Sequence, residues 1–382
     1  MKKIFSVFLS LVIVMLCFCG CSKSIGKTDL NRRKIIVAIG IDVEGDIYKL
    51  TVRSYDPTMK LADSADSGGE SKTIIYHIEG ETIAKAISNI MLQTGDEPAY
   101  VQNNIIIIGK EVAQRGIDKV IDFFVREKRT RYSTMIALSN DKASDIIECD
   151  FMGNSMPQKE LEELINSGAL SGEVEKMNIL LVAKYMSEPT TDVVLPMLEA
   201  FSDGENKNVR IAGTGIFKEC KLVGHFDIDE TRGMLIFSDK FNSGSISLDV
   251  DGVKITANIK KTSSKIKTEI KDGRVIFEVK TDVKCEIDEI ERNFNMAVDE
   301  GEVEKIKKEV AEKIYASIKG AFDKSTVEYQ SDALRLGKRL QFQNKEFFRN
   351  HYEDFSSVLS NAKLDLRVNV ELNKIDAKGM IN

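Results

Sequence analysis

Two runs rich in β-branched residues, Ile35 to Asp42 and Ile47 to Ser54, meet across Glu44, Gly45 and Asp46, a pattern that predicts a β-hairpin. A polar stretch from Ala62 to Lys72, dense in Ser, Asp and Gly, predicts a loop. Thr73 to Ile78 then reads as a third strand, and Ile83, Ile87 and Ile90 recur at helical spacing. Ile105 through Ile108 form an uninterrupted apolar run, as expected of a strand buried on both faces. A helix carrying Ile117, Val120, Ile121, Phe124 and Val125 follows, then a strand from Ser133 to Leu138 and a helix from Ala143 to Ile147. Strands alternating with helices predict a mixed sheet with helices packed on it.

Pro157 opens a second segment, with helices expected over Gln158 to Ile165 and Glu173 to Met186, the latter stopped by Pro189. Strands are expected at Val193 to Ala200, Val209 to Phe217 and Lys221 to Phe226, with a short helix starting near Asp229 to Thr231. This segment reads as a small sheet of its own with helices.

From about 245 the pattern changes to long alternating runs. Ile246, Leu248 and Val250 alternate, and so do Val253, Ile255, Ala257 and Ile259 beyond Asp251 and Gly252. Asp272 and Gly273, between Ile270 and Val275, suit a two-residue type I′ turn, so the run reads as an antiparallel meander. A long helix then aligns Val303, Ile306, Val310, Ile314 and Ile318 on one stripe opposite Lys305, Lys308, Glu312 and Lys319, a face suited to packing on a sheet. The last strand alternates Leu364, Leu366, Val368, Val370 and Leu372 with Asp365, Arg367, Asn369 and Glu371. Cys285 shares the apolar side of its strand with Val283 and Ile287 and reads as a small buried hydrophobe.

The first residues change the picture from a globular chain to a tethered one. Lys2 and Lys3 precede an apolar run from Ile4 to Phe18, followed by small or thiol side chains ending at Cys21, the order of a secretory signal peptide. The run is short for a helix crossing a hydrocarbon layer of ~30 Å, although an uncleaved anchor is the competing reading. Phe18, Cys19, Gly20 and Cys21 resemble a bacterial lipobox, with Gly20 before the cut and Cys21 as the lipid attachment residue. Two acyl chains, at ~0.8 kcal/mol per buried CH₂, hold a protein stably on a bilayer. Lys23, Lys27, Arg32, Arg33 and Lys34 beside that anchor could meet anionic headgroups, or form a solvated linker.

The expected architecture is therefore α+β. A signal peptide (1–20) and a lipidated linker (21–33) lead into three domains, each a mixed or antiparallel sheet flanked by helices. They are an N-terminal α/β domain (34–155), a middle α+β domain (156–244) and a C-terminal domain of antiparallel sheet plus helices (245–382).

Composition narrows the chemistry. The 382 residues are 42% hydrophobic and 30% charged, which excludes wholesale disorder and a multi-span membrane protein. Acidic residues outnumber basic ones, 60 to 54, for a net charge of −6, so no nucleic-acid partner is expected. Cys149, Cys220 and Cys285 lie far apart without metal-ligand spacing and read as structural thiols, and His77, His225 and His351 make a multi-histidine metal site improbable. No serine has glycine two places away on both sides, so the nucleophile elbow of a hydrolase is absent, and FNSGS at Phe241 to Ser245 reads as a turn. Gly213, Gly215 and Gly224 read as turn and close-packing positions, since no Lys-Ser/Thr pair follows them. No catalytic, cofactor or metal residue is expected.

Particular segments resemble a known family. GTGIFKECKLVG at Gly213 to Gly224, followed at Asp229 by DETRGMLIF, is similar to the most specific segment of the C subunits of bacterial spore germinant receptors, the Ger(x)C lipoproteins. KIIVAIGIDVEG from Lys34, GETIAKAISNI from Gly80, IIIIGKEVAQRGI from Ile105 and the stretch ending in REKRTR at Arg131 resemble its first domain. Ser331, Asp332 and Gly337 behind the long helix resemble its last. The chain departs at Gln343 to Phe355, where Asn344, Phe347, Phe348 and Tyr352 stand in for the family's usual proline and tryptophan. The resemblance implies a lipid-anchored, non-enzymatic body at the outer face of the spore inner membrane, beside the membrane-embedded receptor A and B subunits. A lipid-anchored solute-binding protein of a transporter is the alternative; it would need two similar doubly wound lobes.

Overall fold

A computed structural model of the chain describes residues 33–55, 73–149, 157–204, 206–291 and 300–373. The expected signal peptide, Cys21, Lys23, Lys27, Arg32 and the loop from Ala62 to Lys72 lie outside the described residues. The first half holds β1 (Arg33–Glu44), β2 (Ile47–Tyr55), β3 (Thr73–Gly80), α1 (Ile83–Ser88), α2 (Ile90–Thr94), β4 (Glu97–Ala99), β5 (Ile105–Ile108), α3 (Lys110–Arg115), α4 (Asp118–Arg126), β6 (Met135–Ser139) and α5 (Ala143–Ile147). Next come α6 (Pro157–Leu170), α7 (Ile179–Ser187), β7 (Val194–Asp203), β8 (Asn206–Lys218), β9 (Lys221–Phe226) and α8 (Ile228–Phe237). The last part comprises β10 (Gly244–Val250), β11 (Val253–Lys271), β12 (Arg274–Ile290), α9 (Glu300–Asp323) with a π-helical turn at Lys324–Glu328, α10 (Leu336–Gln343), α11 (Lys345–Asn350), α12 (Phe355–Ser360) and β13 (Lys363–Leu372).

Among the described residues these strands form two sheets. The larger runs β3-β2-β1-β5-β6-β7-β8-β9, with β4 pairing β1 off this path. Its centre, β1-β5-β6-β7, is parallel and its flanks are antiparallel. All four isoleucines of β5 are fully buried, as expected of a strand covered on both faces. Ile106 and Ile108 face a core shared with Ile83, Val112, Phe124 and Val182. Ile105 and Ile107 face Ile146, Ile147, Leu161 and Ile165 on the other side.

The middle segment, expected to have its own sheet, instead extends the first one. Parallel pairing of Leu138 with Met197 and of Ser139 with Leu198 splices β7 onto β6. The helix expected over Glu173 to Met186 also begins later, at Ile179, where the Asn178 side chain caps the Leu181 N–H at 2.9 Å. The reason is that the preceding backbone is already engaged. Met177 O accepts from Ile136 N at 3.0 Å, and Thr134 O accepts from Ile179 N at 3.1 Å, so this stretch binds the β6 strand and cannot close helical bonds.

The smaller sheet runs β10-β11-β12-β13. Both of its tight turns have left-handed central residues, Asp251 (φ 52) with Gly252 (φ 82) and Asp272 (φ 51) with Gly273 (φ 73), as a type I′ turn requires. The sheet is not wholly antiparallel, because β13 returns after the helices and lies parallel to β12, Ile276 beside Lys363 through Cys285 beside Leu372. A strand reached by a long helical crossover can pair parallel, whereas a tight turn forces antiparallel pairing. Ile306, Val310, Ile314 and Ile318 of α9 are buried against this sheet and α8. Cys285 is fully buried among them, as its strand position predicted. In the stretch that departs from the family, Phe348 lies between Tyr352 and Phe355, ring centroids 5.9 and 5.8 Å away.

Candidate functional site

The segments that resemble the family most specifically build the junction between the two sheets. GTGIFKECKLVG forms the end of β8, a two-residue turn at Glu219 (φ 48) and Cys220 (φ 67), and β9. Gly224 is a close-packing position: a Cβ there would lie 2.3 Å from the Tyr329 ring, whose hydroxyl donates to His225 O at 3.1 Å. Asp227 and Glu230 start α8 with a reciprocal capping box, Asp227 accepting from Glu230 N at 2.8 Å and Glu230 from Asp227 N at 3.0 Å. Thr231 through Phe237 are then all buried, because α8 packs on β8, β11, β12 and α9 at once. α8 thus touches strands of both sheets.

Ser331, Asp332 and Gly337 complete this junction from the far end of the chain. Ser331 Oγ donates to Phe217 O at 2.6 Å, and Ser325 Oγ donates to Ser331 O at 2.6 Å. The Asp332 carboxylate, 1% exposed, accepts from Leu336 N at 2.6 Å and Gly337 N at 2.8 Å and so caps α10. Its own N–H donates to Asp192 Oδ2 at 2.8 Å, while Asp192 Oδ1 accepts from Glu219 N at 3.2 Å. Burial pushes the Asp332 carboxyl up to about 7, against the pull of the Gly337 and Leu336 donors and with help from Asp192. Asp192 is raised as well, again by burial.

A second buried pair ties the same elements together. Glu175 accepts from Arg335 Nη2 on both carboxylate oxygens, at 2.8 and 2.9 Å, and pairs with Lys240. The Arg335 guanidinium lies 4.4 Å from the centroid of the Tyr185 ring, and Arg335 holds a left-handed backbone (φ 58) to reach it. Nothing in the sequence pattern pointed to this cluster, whose members are up to 160 residues apart.

One cleft borders this framework and another lies away from it. The first, of ≈360 Å³, lies between Glu188 to Val193, the Glu219–Cys220 turn and the segment around Tyr352 and Phe355. The other, ≈730 Å³, opens at the carboxyl end of β1, where Asp42 accepts from Ala143 N and Ser144 N at 2.8 and 2.9 Å. Burial raises the thiol pKa of Cys220, which borders the first cleft, and pushes that of Cys285 up to about 11, so both are protonated thiols at neutral pH. Among the described residues no group of three or more His, Cys, Asp or Glu side chains could hold a metal ion, and no helix is long and apolar enough to cross a membrane.

Residues 26–200 match the family described as "Spore germination protein N-terminal domain", and residues 212–376 match "Spore germination B3/ GerAC like, C-terminal". The chain belongs to the Ger(x)C family of spore germination proteins. This Ger(x)C chain is 24% identical to "Spore germination protein B3" of Bacillus subtilis (strain 168) over 365 residues, 93% of this chain and 94% of that one. It is 23% identical to "Spore germination protein GerQC" of Bacillus cereus, over 74% of this chain and 81% of that protein. Its fold is similar to the crystal structure of the GerBC protein, with a TM-score of 0.59 at 19% identity, covering 88% of this chain and 97% of that one. The expected lipid attachment residue, Cys21, lies outside the described residues, and Lys34 of the basic cluster pairs with Asp96 at 3.4 Å.

The buried Asp332 gives this Ger(x)C protein a specific pH dependence. A carboxyl whose folded pKa, about 7, stands above its ordinary 3.8 binds its proton more tightly in the folded chain. Its stabilising contribution is full below about pH 4 and is lost as pH rises toward 7. Urea unfolding of the wild type and of Asp332→Asn across that window should give a difference in unfolding free energy that changes by about 4 kcal/mol at most. Parallel pH profiles for the two proteins would show that Asp332 titrates normally.

Proposed function

We propose that this protein is a non-catalytic, lipid-anchored subunit of a nutrient germinant receptor, held through Cys21 at the outer face of the spore inner membrane. It acts there through contacts with the membrane-embedded A and B subunits. The observation that carries this reading is the match of both family segments along nearly the whole chain, together with the lipobox-like Phe18 to Cys21. A body tethered beside its membrane partners sees them at an effective concentration in the millimolar range, so weak interfaces suffice for assembly. The buried, hydrogen-bonded junction around α8 and Asp332 suits a scaffold. The alternative, a transporter's solute-binding protein, needs two similar lobes, and the two sheets here differ in size, strand order and direction.

Spores carrying Cys21→Ala should lose most of their response to one class of nutrient germinant while responding normally to others, read as the fall in optical density of a spore suspension. Intact processing of the Cys21→Ala precursor and an unchanged response to a broad germinant panel would remove the anchor from the mechanism.

A further inference from the structure

Exposed sheet edges carry unpaired backbone groups, and this chain covers several of its own with side chains. On the outer edge of β3, Gln93 Nε2 donates to His77 O at 3.0 Å and Asn89 Nδ2 to Glu79 O at 2.8 Å. On β11, the Gln343 amide accepts from Thr268 N at 2.7 Å and donates to Ile266 O at 2.9 Å, and Asn344 Nδ2 donates to Thr268 O at 3.1 Å. The ten-residue edge of β13 has no such cover among the described residues. Asn373 N donates to Cys285 O at 2.9 Å, which sets the parity of the strand. Odd-numbered residues turn their backbone groups to β12, so the N–H and C=O of Leu364, Leu366, Val368, Val370 and Leu372 point out of the sheet.

The charges on this edge are also ill-matched from inside. The register sets Asp365 beside Glu278 and Arg367 beside Lys280, like charge against like. Among the described residues, Asp365 and Arg367 find opposite charge only in each other, at 3.9 Å. Both lie on the exposed face of the strand.

We propose that β13 pairs antiparallel with β13 of a second copy of this chain, about a two-fold axis at Leu366, joining two four-stranded sheets into one. In that register Leu366 and the partner's Leu366 form a hydrogen-bonded pair, as do Leu364 and the partner's Val368. Asp365 then faces the partner's Arg367, and Arg367 the partner's Asp365, in the non-hydrogen-bonded positions where side chains approach most closely. The axis satisfies both charges that β12 leaves facing their like. Centring on Asp365, Arg367 or Val368 sets like charges opposite each other. Centring on Asn369 pairs Arg367 with the partner's Glu371, but Glu371 already holds Lys284 at 2.8 Å and Asp365 stays unrelieved beside Glu278. The interface is isologous, so a single change acts twice.

Sedimentation equilibrium on the full chain in detergent micelles tests the pairing. The wild type should show a monomer–dimer equilibrium. Asp365→Arg and Arg367→Asp should each weaken it about tenfold or more, because each turns two attractive pairs repulsive. The double variant Asp365→Arg/Arg367→Asp, which restores the pairs in exchanged positions, should return within about threefold of wild type. Val368→Pro removes one outward N–H without touching the β12 ladder and should abolish the dimer with an unchanged circular dichroism spectrum. A wild type that stays monomeric at the highest concentration reached, a dimer indifferent to Asp365→Arg, or a dimer that survives Val368→Pro in the folded chain overturns the proposal.

Discussion

Replacing Gly233 by alanine should destabilise the protein by about 3 kcal/mol, at the upper end of what a single added methyl costs in a packed interior. A Cβ at Gly233 would stand 2.0 Å from the Ser317 carbonyl oxygen and 2.3 Å from its carbon. Those atoms are helix backbone in α9, so α8 and α9 can make room only by moving apart. That separation would loosen every buried side chain from Thr231 to Phe237, and with them the contact between the two sheets. Gly320→Ala, in α9 itself, supplies the matched control. Its Cβ would sit 3.5 Å from Glu230 Cγ, an ordinary contact, so the gain in helix propensity, about 1 kcal/mol, should go unopposed. Urea unfolding that ranks the two variants in the opposite order would mean that the helix crossing does not govern the junction.

Glu175→Gln should cost about 3–5 kcal/mol, because it leaves the buried Arg335 guanidinium without its counter-charge. The side chains of Glu175 and Arg335 are 8% and 11% exposed, so water cannot replace the lost partner. The Arg335 Nε and Nη1 atoms already lack hydrogen-bond partners and rely on the Tyr185 ring and on Glu175. Removing both charges together, as Glu175→Leu with Arg335→Met, should recover most of the loss, since an apolar pair of similar volume is close to neutral in such a site. Thermal and urea unfolding of the two single variants and the double variant measure the coupling. A loss below about 1 kcal/mol for Glu175→Gln would place the pair with exposed ion pairs instead.

Local pattern carried much of this fold. The isoleucine run of β5, the helix from Ala143 to Ile147, the Asp-Gly turns and the apolar stripe of α9 all stand where periodicity and turn chemistry put them. The misreadings have one physical origin. Residues 173–178 have helical spacing, but Glu173 and Val174 donate back to Gly168 O while Met177 O and Asn178 engage β6, and β7 has strand spacing but takes its partner from the preceding segment. A strand's pattern says which face is buried and is silent about which strand lies beside it, so the parallel return of β13 was equally hidden. The junction was half legible: its glycines, Ser331 and Asp332 were visible as a resemblance, while Asp192, Glu175, Lys240 and Arg335 carried no signal.

The sequence by itself determined most of the long strands and helices, their order, the Asp-Gly turns between hairpin strands and the family resemblance, because these rest on side-chain periodicity, backbone preference and local motifs over a few residues. Only the tertiary structure decided that two sheets stand where three were expected, that α8 is gripped by both, and that Glu175 and Asp332 are buried. Those outcomes depend on contacts between residues far apart in the chain, 59 positions for Leu138 and Met197 and 140 to 160 for the Asp192–Asp332 and Glu175–Arg335 pairs, whose energies appear only once the chain has closed upon itself.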